Sequence, residues 1–406
     1  MRILFVLDSG FDTYGPSLHL YKALLEDLLK ASHTVHLIES VSTRKDPVIP
    51  ETLENHPNFS YELIPIAIVK KSHFALRYLA GVQYCFRTIP FLKKCKGKFD
   101  VVHVQSCPWA QFAVTFAKKY VGAPTVFNVQ DMFPGSSIAA GVMPRKWMQK
   151  IFYAIQKIGY KKADMISVIS EDMKARVVAQ GVPSEKVHVI VNWYDDSFVK
   201  EIPWEENKFV KKYNMSKDKF YVQYAGTMGF VFDYKMVLTV AENLRQYKDI
   251  VFQMIGFGSQ YDQFIAEAKE RGLGNIVFYP LEPQPMVPHV YSACSICFIP
   301  LKRDIIGNSV PSKAGLLMSC RRVIVNSVDE WSDYYKMFER EDMGLSASNL
   351  DSDAVTAAIL KLYNDRELIE HFANNAQPYG KSYYSRTVNT AKYEQLYKKL
   401  SLLKKK

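Results

Sequence analysis

Short apolar runs alternate with longer segments of helical periodicity along the whole chain. The apolar runs predict strands at residues 3–7, 34–38, 101–104, 125–128, 165–170 and 187–191, and again at 220–226, 250–256, 276–280, 295–301 and 322–327. Between them, segments such as residues 15–31 and 109–122 carry apolar side chains every three or four positions and predict amphipathic helices. This alternation is typical of βαβ units, so the predicted fold class is α/β with parallel, doubly wound sheets.

A charged segment at residues 203–219 interrupts the alternation, which then starts again. The sequence therefore predicts two Rossmann-like domains, residues 1–200 and 201–380. A C-terminal segment, residues 381–406, is predicted to form a helix that returns toward the first domain.

Composition is that of a globular protein of 406 residues, with 48% hydrophobic and 23% charged residues. No apolar run reaches the roughly 18 residues of a membrane span, and the five apolar residues after Arg2 are too few for a secretory signal. We expect a cytoplasmic protein with reduced thiols. Cys294 and Cys297 have C-x-x-C spacing but lie in a predicted buried strand without a second ligand pair, which favours core packing over a metal site.

The formal net charge of +11 leaves nucleic acid, an anionic membrane and a phosphorylated substrate as partner classes. Two segments of the first domain, residues 69–98 and 143–162, interleave aromatic and aliphatic residues with lysine and arginine. Such composition is typical of interfacial amphipathic segments, so we expect peripheral binding to the inner face of an anionic membrane. A solvated helix face is the alternative. No recognised nucleic-acid-binding motif is present, which argues against a nucleic-acid partner.

The stretch IIGNSVPSKAGLLMSC, residues 305–320, is a polar loop that leads into an apolar helix. A helix N-terminus beside Ser312 and Lys313 suits phosphate, because free N–H groups and the helix dipole both favour negative charge. The competing interpretation is an N-cap formed by Ser312 beside a solvated lysine. Neither G-x-G-x-x-G after the first strand nor a P-loop motif occurs, which argues against a dinucleotide cofactor.

The order of landmarks resembles the retaining glycosyltransferases of family 4, which have the GT-B fold of two facing Rossmann-like domains with an interdomain cleft. The segments that carry the resemblance are FDVVHVQS (99–106), PTVFNVQDMFP (124–134), the long segment 163–195 ending in VNWYD, YAGTMG (224–229), residues 254–280, and CFIPLKRD with VPSK (297–313). The resemblance extends over about residues 1–400. VNWYD and VPSK look most like bacterial enzymes that build capsule, exopolysaccharide or O-antigen units on a lipid carrier.

The resemblance implies transfer of a hexose or N-acetylhexosamine from a nucleotide diphosphate sugar, expected to be UDP-linked, to a polyprenyl-diphosphate-linked saccharide, with retention at the anomeric carbon. It implies no metal and no cofactor besides the donor substrate. The expected donor contacts in the second domain are Gly226, Thr227, Arg303, Asn308, Ser309, Ser312 and Lys313.

In the first domain the resemblance implies that Gly15 belongs to a glycine loop that lets the donor phosphate approach closely. It also implies that Asp131 is the catalytic candidate, which orients or deprotonates an acceptor hydroxyl. The alternatives are a tight turn at Gly15 and a turn cap at Asp131, before Pro134. For Arg303 the alternative is a surface pair with Asp304. His103 alternates with valines inside a predicted strand, which favours packing over acid–base chemistry.

The sequence departs from the family at two acidic positions, which are Asn308 and Leu316 here. A leucine cannot accept a hydrogen bond from a ribose hydroxyl. The Arg and Lys pair that often follows the first loop of the second domain is also absent, since that stretch offers only Lys235, displaced by several residues. These departures keep a non-catalytic partner subunit open as an alternative, beside a nucleotide-sugar epimerase of the same architecture.

Overall fold

The computed structural model describes residues 1–8, 10–11, 18–43, 48–67, 74–139, 141 and 143–403. The chain divides into two compact units. Unit 1 comprises Met1–Asn192 and Thr387–Lys406, and unit 2 comprises Trp193–Arg386. The end of the chain therefore belongs to the same unit as its beginning.

The described part of unit 1 contains one sheet of seven strands. They are β1 (Arg2–Leu7), β2 (Thr34–Ser42), β3 (Phe59–Ile66), β4 (Val101–Gln105), β5 (Thr125–Val129), β6 (Met165–Val168) and β7 (Val187–Val189). The order across the sheet is β3-β2-β1-β4-β5-β6-β7, and each neighbouring pair is parallel. The central strands β1, β4 and β5 are almost entirely buried, which explains their continuous apolar sequences.

Helices cover this sheet. In the described residues they are α1 (Leu18–Lys30), α2 (Glu51–Glu54), α3 (Phe74–Lys94), α4 (Ala110–Val121), α5 (Gly135–Ala139), α6 (Lys146–Lys162), α7 (Glu171–Ala179) and, from the end of the chain, α16 (Arg386–Leu403). Helix α4 ends at Gly122, whose φ of +73° is the left-handed C-cap conformation.

A buried polar network joins α16 to the sheet of unit 1. The hydroxyl of Tyr397 pairs with Nδ1 of His103 at 2.8 Å, and the Asn128 amide donates to the hydroxyl of Tyr393 at 2.6 Å. Burial lowers the pKa of His103 to about 3, so its ring is neutral. His103 is therefore a packing residue, as the alternation of its strand predicts.

Every residue of unit 2 is described, and its sheet has six strands. They are β8 (Phe220–Thr227), β9 (Ile250–Phe257), β10 (Ile276–Tyr279), β11 (Ile296–Pro300), β12 (Ile324–Val328) and β13 (Gly344–Ser348). The helices are α8 (Lys208–Lys212), α9 (Tyr234–Asn243), α10 (Tyr261–Glu270), α11 (Val287–Ser292), α12 (Ala314–Ser319), α13 (Asp333–Arg340), α14 (Ser352–Asn364) and α15 (Arg366–Tyr384).

The strand order in unit 2 is β10-β9-β8-β11-β12-β13, again with parallel neighbours. A core of fully buried residues, including Phe220, Phe252 and Phe298, lies between this sheet and its helices. Both units thus have the doubly wound Rossmann-like arrangement, which confirms the predicted α/β fold class.

Candidate active site

A cavity of about 210 Å³ lies at the carboxyl ends of β8 and β11 in unit 2. The strand order reverses between these two strands, because β9 and β10 lie on one side and β12 and β13 on the other. Ligands of open α/β sheets bind at such a switch point. Most of the lining residues come from β8 and the loop after it, from β11 and from the loop between β11 and α12; α11 and α12 contribute one residue each. The lining residues are Gln223, Tyr224, Ala225, Thr227, Val231, Tyr291, Cys297, Phe298, Ile299, Leu301, Ile305, Ser309, Val310, Pro311, Ser312, Lys313 and Leu317.

Buried side chains and backbone hydrogen bonds hold the loop from Leu301 to Lys313 in place. Ile305 and Ile306 are buried, and the carbonyl of Ile305 accepts hydrogen bonds from the backbone N–H groups of Asn308 and Ser309 at 3.0 and 3.1 Å. Gly307 has a φ of +85°, which allows the tight turn that these bonds close. Residues 309–313, the second half of the loop, therefore form one wall of the cavity.

Lys313 supplies the cation of this wall. Its Nζ lies 4.4 Å from the ring centroid of Tyr224, a cation–π contact, and no described residue provides it with a carboxylate partner. Burial lowers the pKa of Lys313 to about 8, and the nearby Cys297 opposes this change. An enclosed ammonium group without a counter-ion is unfavourable, so the cavity wall favours an anionic ligand.

Gly226 makes the position of Lys313 feasible. A Cβ at residue 226 would lie 1.5 Å from Nζ of Lys313, and the φ of Gly226 is +149°. A side chain at this position would therefore displace the lysine. Gly226 thus leaves the space that the Lys313 side chain occupies. From the sequence we expected only that its backbone would approach the ligand closely.

The other donor candidates fall into two groups. Thr227, Ser309 and Ser312 line the cavity. Arg303 and Asn308 do not: Arg303 is exposed, with its Nε 3.8 Å from the carboxylate of Asp304, and Asn308 is buried. The amide of Asn308 donates to the carbonyl of Asp304 at 3.0 Å, so its side chain holds the loop.

Ser312 does not cap the following helix. Helix α12 begins at Ala314, its N-cap residue is Lys313, and no side chain accepts a capping hydrogen bond there. The capping interpretation of Ser312 is wrong, because the turn at residues 311–313 places the serine one residue too early. Leu316, two residues into α12, is half-buried and is not among the cavity-lining residues.

In unit 1, Asp131 is exposed and lines a small cavity of about 20 Å³ with Ser106, Cys107 and Pro108. The cavity lies at the carboxyl ends of β4 and β5. Gly15 lies outside the described residues. The sulfur atoms of Cys294 and Cys297 are 3.6 Å apart and buried, and the described residues contain no group of three side chains that could hold a metal ion.

Sequence reasoning missed Tyr224 and Tyr291. Both are buried, and the hydroxyl of Tyr291 donates to the carbonyl of Ala225, which fixes the end of β8 beside the cavity. Tyrosines in apolar segments read as core residues, so no local signal distinguished them. Asp8, which directly follows β1, was missed although an acidic residue at a strand end is a recognisable signal.

Two family descriptions match successive parts of the chain. "Glycosyl transferase 4-like domain" matches residues 23–193, and "Glycosyl transferases group 1" matches residues 205–378. Together they cover most of both units. The chain belongs to the GT-B glycosyltransferases of family 4.

This family membership confirms the predicted enzyme class, a glycosyltransferase. The protein named colanic acid biosynthesis glycosyl transferase WcaI, of Escherichia coli, is 24% identical over 199 residues, an alignment that covers 48% of this chain and 49% of WcaI. The chain thus matches about half the length of that relative. The glycosyltransferase WbjE of Pseudomonas aeruginosa is 23% identical over 310 residues, covering 75% of this chain and 76% of WbjE.

Solved structures share the fold of this family member. Sucrose-phosphate synthase of Thermosynechococcus elongatus superposes with a TM-score of 0.74 and 15% identity, over 98% of this chain and 99% of that chain. HepE of Anabaena, solved in complex with UDP-glucose, gives 0.72 and 16% identity over the same shares. Among the described residues of the glycosyltransferase, no helix is long and apolar enough to cross a membrane.

Proposed function

We propose that this glycosyltransferase takes a hexose or N-acetylhexosamine from a UDP-linked donor and transfers it to a polyprenyl-diphosphate-linked saccharide in surface polysaccharide biosynthesis. The observation that carries the proposal is Lys313, an enclosed cation without a carboxylate partner among the described residues, at the switch point of unit 2. The anomeric configuration would be retained, as in the family.

The chemistry of such a transfer fits this cation. Negative charge grows on the diphosphate as the glycosidic bond breaks, so a lysine fixed beside it stabilises the transition state more than the ground state. The hydroxyl groups of Thr227, Ser309 and Ser312 line the same cavity and would donate to phosphate or sugar oxygens. With the lysine neutralising the leaving group, the transfer would need neither a metal ion nor a further cofactor.

The names of the relatives agree with this proposal. HepE was solved with UDP-glucose, which supports a UDP-linked donor, and WcaI carries the name of a colanic acid enzyme, which supports a surface polysaccharide as the product. Asp131, at the carboxyl end of β5, would orient or deprotonate the acceptor hydroxyl in unit 1.

The lipid-linked acceptor implies contact with the inner face of an anionic membrane. Helices α3 and α6 of unit 1 contain no aspartate or glutamate. They contact each other, since the rings of Tyr78 and Phe152 are 5.0 Å apart. Each helix also exposes large apolar side chains, which are Leu76, Leu79 and Phe86 on α3 and Trp147, Ile151 and Ile158 on α6. We propose that this basic, apolar surface binds the membrane peripherally.

Thermal-shift measurements with UDP, GDP, ADP and their common sugar conjugates test the donor site. Binding to the folded state raises the melting temperature by mass action. We expect a shift with UDP or a UDP-sugar in the wild type and none in Lys313→Ala. Lys217→Ala is the matched control, because Lys217 is exposed on the surface of unit 2, where it pairs with Glu205.

A donor identified in this way is then supplied with a synthetic polyprenyl-diphosphate-linked saccharide, and NMR of the product reads its anomeric configuration. Inversion would contradict the proposed mechanism. If no nucleotide shifts the melting temperature at millimolar concentration, the second candidate becomes the better one, a non-catalytic partner subunit. Asn308 and Leu316 favour it, because neither residue brings an acid to the cavity.

A further inference from the structure

Unit 1 has a switch point of its own, between β1 and β4, where its strand order reverses. Asp8 directly follows β1, and Ser106 and Cys107 follow β4. Val6 pairs with Val104 in the parallel register, so Asp8 and Ser106 lie level with each other two residues further on. Asp8 thus lies at the switch point of unit 1, as the cavity lined by Lys313 lies at the switch point of unit 2.

The surroundings hold Asp8 in place. The hydroxyl of Ser40 donates to its backbone carbonyl, and the hydroxyl of Tyr84 donates to the carbonyl of Leu7. The thiol of Cys107 hydrogen-bonds to the Asp8 carboxylate, and Cys107 also lines the small cavity that contains Asp131. Two carboxylates, Asp8 and Asp131, therefore flank the residues that follow β4.

The carboxylate of Asp8 is only weakly compensated. Burial raises its pKa to about 6, while hydrogen bonds from its own backbone N–H and from the Cys107 thiol, and the charge of Arg77, oppose this change. The groups that interact with it are Tyr21 of α1, Arg77, Tyr84 and Cys85 of α3, and Cys107. Burial raises the pKa of each of these tyrosines and thiols, so Arg77 is the charged group among them near neutral pH.

We propose that Asp8, positioned by Cys107, binds a hydroxyl group of a neutral sugar in the acceptor site of unit 1. A carboxylate accepts several hydrogen bonds, and the backbone N–H of Asp8 and the thiol of Cys107 provide one donor each, so capacity remains for hydroxyl groups of a ligand. A hydroxyl donating to a buried carboxylate forms a strong, charge-assisted bond. The inference rests on the proposed function, because it assigns the acceptor side of the same transfer.

Ligand-observed saturation-transfer NMR tests the assignment without turnover. The probes are methyl glycosides of glucose, galactose and N-acetylglucosamine, mixed with UDP, whose resonances report unit 2 separately. At pH 7.5 we expect saturation of at least one glycoside by the wild type and a signal at least about fivefold weaker in Asp8→Asn, which cannot form the charge-assisted bonds. Asp100→Asn is the matched control, since Asp100 lies at the opposite end of β4 and binds the backbone N–H of Arg2.

The pH dependence separates binding by Asp8 from a structural effect. The glycoside signal of the wild type should fall as the pH drops through about 6, where Asp8 takes up a proton. In Cys107→Ala this fall should move to higher pH, because the thiol hydrogen bond that lowers the pKa of Asp8 is lost. Asp8→Asn should show no such fall.

Three results would overturn the assignment: no glycoside signal with the wild type, equal signals with Asp8→Asn, or equal losses in Asp8→Asn and Asp100→Asn. Loss of the UDP signal alone would contradict the proposed donor and leave the role of Asp8 supported. The two proposals can therefore fail separately.

Discussion

Lys313 makes the proposed nucleotide binding in the cavity of unit 2 dependent on pH. Because burial lowers its pKa to about 8, the cation proposed to bind phosphate is lost well below the usual lysine value of 10.5. We expect the affinity for the nucleotide to fall about tenfold between pH 7 and pH 9, measured by isothermal titration. Lys313→Arg should bind with little pH dependence over this range, because arginine stays charged.

The stability of the nucleotide-free protein should change in the opposite direction. Between pH 8 and 10.5 the unfolded chain holds the lysine proton more tightly than the folded protein does, so this group's contribution to the free energy of unfolding rises with pH.

For the affinity prediction, a nucleotide affinity that stays constant up to pH 10 would show that Lys313 is not the phosphate partner.

Gly226 is predicted to be required for the position of that lysine. In Gly226→Ala the new Cβ would occupy the space of the Lys313 ammonium group, and the φ of +149° would add strain. We expect at least about tenfold weaker nucleotide binding by isothermal titration, because the displaced cation no longer reaches the cavity. The control is Gly122→Ala, where φ is +73° and no atom lies within 4 Å of the added Cβ, so only backbone strain is tested.

The proposed membrane-binding surface is formed by α3 and α6. Trp147, Ile151 and Ile158 are exposed along α6, while Gln156, Gly159 and Tyr160 form its buried side. An apolar row on the solvent side of a helix without acidic residues is unusual for a soluble surface and is typical of interfacial binding. Helix α6 thus offers both contributions to peripheral binding at an anionic bilayer, which are burial of apolar side chains and attraction between lysines and anionic lipids.

These two contributions can be separated by co-sedimentation with vesicles. Trp147→Ser with Ile151→Ser should weaken binding to vesicles with and without anionic lipid, because apolar area is lost. Lys150→Glu with Lys157→Glu should weaken binding only to anionic vesicles, as each lysine near the surface contributes about 1 kcal/mol. Leu350→Ser, an exposed leucine of unit 2, is the control. Unchanged binding of both double variants would contradict the proposed surface.

At the scale of the whole molecule, the end of the chain completes unit 1. Tyr393, Tyr397 and Leu400 of α16 are buried against the sheet whose strands come from residues 2–189. The last segment of unit 1 therefore follows unit 2 in the sequence. Residues 1–192 alone would lack these contacts.

We predict that Tyr397→Phe destabilises unit 1 by about 1–3 kcal/mol, because Nδ1 of the buried His103 ring loses its partner. Urea unfolding measures this change, and Tyr153→Phe, at an exposed tyrosine of α6, is the control. A protein that ends at Ser385 should show a larger loss, seen by hydrogen exchange in β4 and β5. Equal protection in both lengths of the chain would show that α16 is dispensable for unit 1.

Much of the fold could be predicted because central parallel strands are buried on both faces and read as continuous apolar runs. The strands that were not predicted, β3 and β13, lie at sheet edges. Their side chains are only partly buried, and their sequences, FSYELIPI and GLSAS, mix polar and small residues. An edge strand packs less surface, so its sequence carries a weaker hydrophobic signal.

The sequence by itself determined the α/β class, the two successive units and the loop that contains Lys313, because local periodicity and motif order carry this information. Only the tertiary structure decided that Tyr224 and Gly226 surround the lysine, that Asn308 and Arg303 do not line the cavity, and that Asp8 is next to Cys107. These relations depend on strand order and register, which bring together residues that are distant in sequence. Burial, and with it the pKa of Lys313 and Asp8, exists only once the strands and helices have packed.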